Sequence, residues 1–74
     1  MASRSYTAIV EKEGTEYVGL CPELDIASQG DTVESATENL KEAVELLLEC
    51  ADPAEVEHRL HTQVFVIRFE AAHG

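Results

Sequence analysis

Fifteen carboxylates, three histidines and two cysteines are the side chains of this chain with chemistry to offer, and their spacing decides which chemistry is within reach. A two-metal nuclease site gathers several carboxylates on a pair of ions, from the centre of one strand and the ends of neighbouring elements. Here the first extended run carries only Glu11, near its end, and its centre is Ala8, Ile9 and Val10. His58 and His61 stand at helical spacing beside Glu55 and Glu57, but two histidines without a third firm ligand read as surface residues rather than a metal site. His73 falls in a terminal tail, where fraying is the rule. Cys21 and Cys50 are too few and too far apart for a disulfide scaffold or a zinc site, so both are expected to be reduced, partly buried small hydrophobes. Neither a Ser/His/Asp nor a Cys/His order suggests a nucleophile, and no Gly-rich phosphate loop is present. The expectation is a protein without catalysis, metal or cofactor.

Charge carries more information than any single residue. With 15 acidic and 5 basic residues the formal net charge is −10, a field that repels nucleic-acid phosphates and favours encounter with a basic partner. Glu11, Glu13, Glu16, Glu23 and Asp25, acids near the strand and helix exits, are the candidate contacts, chosen on charge and exposure; a merely solvated rim is the alternative reading. No run of 18 apolar residues and no basic-plus-apolar leader is found, Met1 to Tyr6 being short and polar, so neither membrane insertion nor secretion is expected and the cytoplasm is the default location. Seventy-four residues allow one core. A chain of that size buries only around 60% of its unfolded surface, which makes self-association a plausible supplement to its stability.

The elements that position these residues follow from periodicity and punctuation. Ser5 to Glu11 alternates Tyr6, Ala8 and Val10 with Thr7, Ile9 and Glu11, the period-2 pattern of a strand. Lys12 to Thr15 is a turn of hairpin length, Glu16 to Cys21 resumes extended structure, and Ile26 to Gln29 follows a bend at Pro22 to Asp25. Thr32 or Asp31 can cap a helix, with Glu34, three residues after Asp31, placed for a reciprocal capping pair. Val33, Ala36, Leu40, Ala43, Val44, Leu47, Leu48 and Ala51 then form one apolar stripe from Val33 to about Cys50, with Leu46 off it. Asp52-Pro53-Ala54-Glu55 starts a second helix running to about Leu60.

Thr62 to Phe69 sets Val64, Val66 and Arg68 against Phe65, Ile67 and Phe69, the pattern of a final strand. Returning after a helical crossover, it is expected parallel to the first strand, for an α+β fold with sheet order 3-2-1-4. Its two apolar sides need covering on both, and the helices supply one cover. Phe65, Ile67 and Phe69 are therefore the expected contact of a homodimer or homotetramer.

One stretch adds a resemblance. Cys21, Pro22, Glu23 and Leu24, then Ser28, Gln29, Gly30, Asp31 and Thr32, then a Glu-rich and Leu-rich helix containing Asn39, Leu40, Lys41, Glu42 and Ala43, resemble the HicB antitoxin family. The likeness extends more loosely to the N-terminal hairpin, covers roughly two thirds of the chain and weakens after Cys50. It implies a partial ribonuclease H-like fold without that enzyme's activity, and a partner: a small basic HicA-type toxin that cleaves mRNA, whose catalytic histidine and RNA-binding surface the antitoxin occludes. Full-length relatives often append a DNA-binding module; nothing of that length or charge follows residue 70, so operator binding is not carried over. The alternative is a stand-alone oligomeric HicB-like domain with no toxin partner.

Overall fold

The computed structural model describes residues 4–61 and 63–73. Its elements are β1 (Ile9–Glu13), β2 (Glu16–Cys21), β3 (Ile26–Gly30), α1 (Val33–Cys50) and α2 (Pro53–Arg59). The strands form one antiparallel meander in the order β1-β2-β3, and the α+β expectation holds at that level.

The hairpin register pairs Glu13 with Glu16 around the two-residue loop Gly14-Thr15. Gly14 has φ +63°, the positive φ at the first loop position that a type II′ turn demands and that glycine adopts without penalty. β1 starts at Ile9, later than the alternation predicts, and the reason is Pro22. The ladder's register would set Thr7 opposite Pro22, which has no N–H to donate. The lead-in residues 4–8 are held instead by a side chain, as described below.

Helix α1 starts where the cap residues place it, but the reciprocal pair differs in detail. Thr32 is the N-cap, its Oγ1 accepting from the Ser35 N–H at 3.0 Å while Ser35 Oγ accepts from the Thr32 N–H at 3.0 Å. Ser35, not Glu34, occupies the third helical position, because the cap is Thr32 rather than Asp31; Glu34 remains a first-turn acid facing the positive end of the helix dipole. For α2 the Asp52 carboxylate accepts from the Ala54 N–H at 3.0 Å, and Pro53 fills the first turn.

Ala36, Leu40 and Val44 are the buried centre of the α1 stripe, and Leu40 and Val44 pack with Cys21 and Leu24 from β2 and its exit turn. Tyr6, Ile26, Leu47, Val56 and Leu60 close around this core. Gly30 lets the first turn of α1 sit close to β3, since a Cβ there would lie 2.6 Å from the Ala36 nitrogen and 2.8 Å from the Ser35 carbonyl carbon, whereas a Cβ at Gly19 would make only ordinary contact with Leu40. The helix packs chiefly on β3 and β2 and touches β1 least, so the stripe is covered unevenly and Leu48 stays exposed. Leu46, off the stripe, is exposed as expected.

Two expectations come out differently. Cys21 is buried but Cys50, the last residue of α1 and off the covered part of the stripe, is exposed. Among the described residues no fourth strand is paired: 63–73 belongs to no sheet, and Thr62 lies outside the described residues. Phe65, Val66, Ile67 and Phe69 are 78%, 61%, 75% and 85% exposed. Alternating apolar residues specify a backbone that would suit a sheet; they do not specify the strand it pairs with. The radius of gyration, 14.3 Å, exceeds the roughly 11 Å of a compact domain of this length, as it does when a segment leaves the body.

Candidate functional site

The five candidate acids separate into two groups at opposite ends of the sheet. Glu11, Glu13 and Glu16 belong to the β1–β2 hairpin and are exposed. Glu13 pairs directly with Glu16, and alternation puts Glu11 on the same face, the one turned away from α1. Like charges directly opposite one another cost stability, so this tip holds a local concentration of negative charge that the fold itself does not favour. Glu23 and Asp25 lie in the β2–β3 turn, about 17 Å away by strand rise along β2. Asp25 is exposed with φ +56°, a left-handed conformation that Asp tolerates better than most residues.

Glu23 is structural as much as acidic. Its Oε1 accepts from the Thr7 N–H at 2.9 Å, its Oε2 from the Thr7 hydroxyl at 2.6 Å, and Oε1 also from the Cys21 thiol at 3.4 Å. This carboxylate takes the place of the ladder partner that Pro22 cannot provide, and it ties the lead-in segment to the sheet. Burial pushes its carboxyl up, but the Thr7 hydroxyl, the Thr7 N–H, its own backbone N–H and the Cys21 thiol together outweigh that, holding it below the usual carboxylate range. Burial pushes the Cys21 thiol up, and the Glu23 carboxylate adds to this against a backbone hydrogen bond at Leu24. The thiol therefore stays protonated near neutral pH, the opposite of an activated nucleophile.

Glu23 also acts through its backbone carbonyl, which accepts from the His61 N–H at 2.7 Å and fixes where the C-terminal segment leaves the body. His58 and His61 do not share a helical face, because α2 ends at Arg59. Among the described residues no three His, Cys, Asp or Glu side chains gather as metal ligands. No described helix is long and apolar enough to cross a membrane.

A concavity was not foreseen. An open groove of about 800 Å³ runs between the lead-in segment and α1, its lining including the apolar Tyr6, Leu40 and Val44 and the charged Arg4, Lys41 and Glu45, with Leu48 and Ala8 beside them. It exists because α1 sits over β2 and β3 and leaves the β1 side of the sheet uncovered. A smaller hollow, about 330 Å³, lies where Arg4, Ser5 and Glu23 meet Leu60, His61 and Val64. Thr7 and the groove residues are what sequence reasoning missed; the pairing of Thr7 with a proline was the available signal for the first.

Comparison of the chain with known protein families, with curated proteins and with solved structures finds no match.

Proposed function

We propose that this chain is an antitoxin-like protein of the HicB type, which binds and occludes a small basic HicA-type mRNA-cleaving toxin and performs no chemistry of its own. The observation that carries this reading is the acidic hairpin tip, Glu11, Glu13 and Glu16 on one exposed face, within a chain of net charge −10. A basic RNA-binding surface is the natural complement of such a tip, and a negative field steers the two together before contact. Asp25 at the far end offers a second, separate acid, while Glu23 contributes through the shape of the turn. The same reading makes the run predicted from Thr62 to Phe69 the fourth strand beside β1, in the order 3-2-1-4 of a partial ribonuclease H-like sheet, and makes the protein a cytoplasmic homo-oligomer.

The test is recovery of the tagged chain from its native host at low and high salt, followed by an RNA-cleavage assay on whatever is bound. A small basic ribonuclease, silent in the complex, active once released and lost as about 1 M salt shortens the screening length to about 3 Å, is the expected result. Recovery of self-assembled copies alone at every salt concentration moves the assignment to a stand-alone oligomeric domain. The exposed Phe65, Ile67 and Phe69 favour that second reading, since they suit self-association without any toxin.

A further inference from the structure

Two unsatisfied features face different ways in one chain: a segment with its large apolar side chains in solvent, and a groove with nothing in it. We propose that 63–70 is an exchange arm that lies along the free β1 edge of a second copy, with Phe65, Ile67 and Phe69 seated in that copy's groove between the lead-in segment and α1. The inference rests on the fourth-strand reading above and is independent of any toxin.

The root of the arm argues for exchange rather than folding back. Leu60 packs against the core, and the His61 N–H bonds the Glu23 carbonyl at 2.7 Å, so the exit point is held on both sides of the backbone. From that root the chain leaves its own groove unfilled, with Phe65 78% and Phe69 85% exposed. Val64, half-buried at the hollow it shares with Arg4 and Ser5, is the last residue held on its own copy, and beyond it the exposed arm is free to meet another. Eight residues of strand span about 26 Å, enough to run from Tyr6 to the end of β1.

The side-chain pattern fits the acceptor on both faces. Tyr6, Ala8 and Val10 stand on the α1 side of β1 and its lead-in, where the row Phe65, Ile67, Phe69 would meet them and the apolar flank of α1 at Leu40, Val44 and Leu48. The other row then continues the open face, with Val66 toward Ile9, and Arg68 within reach of Glu11. Charge agrees as well: the arm carries Arg68 against Glu70 alone, so it brings no net charge to an acidic body that would otherwise repel its copy. Exchange also pairs the open β1 edge, which is otherwise a template for uncontrolled association.

The deciding experiment is isotope-filtered NMR on an equal mixture of labelled and unlabelled full chain, reading contacts between the Phe65 and Phe69 rings and the Leu40, Val44 and Leu48 methyls. Contacts between differently labelled copies are expected. Contacts confined to one copy overturn the exchange and leave the fourth strand standing; absence of any contact between arm and groove overturns both. In sedimentation, the full chain should run as a multiple of 8.1 kDa. The double variant Phe65→Asp, Phe69→Asp should weaken that assembly about 100-fold or more, as loss of two buried aromatic anchors does, and an unchanged constant contradicts the proposal. The variant's circular dichroism checks that its body is folded, and the labelled mixture decides the matter without any variant.

Discussion

Removing the charge from Glu23 should destabilise the protein in a pH-dependent way, and the hydrogen bonds set the size. Glu23→Gln keeps an oxygen for one of the two Thr7 donors, now 2.9 and 2.6 Å from the carboxylate, but gives up the charge that strengthens both. A hydrogen bond to a charged group contributes roughly 1 kcal/mol more than a neutral one, about 2 kcal/mol for two; partial exposure of Glu23 halves that to about 1 kcal/mol. With a urea dependence near 1 kcal/mol per molar for a domain this small, the unfolding midpoint should fall by about 1 M at pH 7. The sign with pH follows from a carboxyl held below its ordinary value of 4.5: the stabilisation is present above that value and is lost as pH falls through the lower, folded-state value. Urea unfolding followed by circular dichroism should therefore show the wild type and Glu23→Gln converging as the buffer is taken from pH 7 down to pH 3. Thr7→Val in the Glu23→Gln background should add less than it does in the wild type. A gap between the two proteins that is the same at pH 3 as at pH 7 would refute the idea that the charged Glu23 carboxylate ties Thr7 to the sheet.

Other consequences are quicker to check. Leu24, wholly buried, should cost about 3 kcal/mol when changed to Ala, enough in a marginal domain to leave a large unfolded fraction by circular dichroism at 37 °C. Thr32→Ala removes the α1 cap and should cost about 1 kcal/mol by urea titration, whereas Leu46→Ala, at an exposed position, should change the unfolding free energy by less than about 0.5 kcal/mol. A thiol reagent should label Cys50 at once in the native protein and Cys21 only at the rate of unfolding, so two rapidly labelled thiols would contradict the buried site.

What was legible in the sequence was local. The hairpin, the third strand, the long helix and the Asp52-Pro53 start of α2 all declare themselves within a few residues, through alternation, a glycine turn or a cap, and the structure places them within a few residues of those signals. The limits appear where a feature depends on a neighbour distant in sequence. Thr7 and Glu23 are 16 residues apart, and their pairing follows from the hairpin register that sets Thr7 against Pro22. The groove is likewise a matter of which strands α1 chooses, and Gly30, which admits the first turn of the helix beside β3, reads in sequence only as turn punctuation. The alternation at 64–69 was visible, yet among the described residues it pairs with no strand, because alternation specifies a backbone and not its partner. Acidic residues were easy to count and harder to group: register alone reveals that Glu11, Glu13 and Glu16 share a face while Glu23 and Asp25 lie at the other end.

The most direct measurement of the proposed function is neutralisation. A HicA-type toxin expressed in bacteria would be paired with this chain or with its Glu11→Lys, Glu13→Lys, Glu16→Lys variant, and growth and mRNA integrity followed together. The account predicts rescue by the wild-type chain, and loss of rescue by the variant while its circular dichroism and its sedimentation stay those of the wild type. Continued mRNA cleavage in the presence of soluble wild-type chain, or equal rescue by the charge-reversed variant, would contradict it.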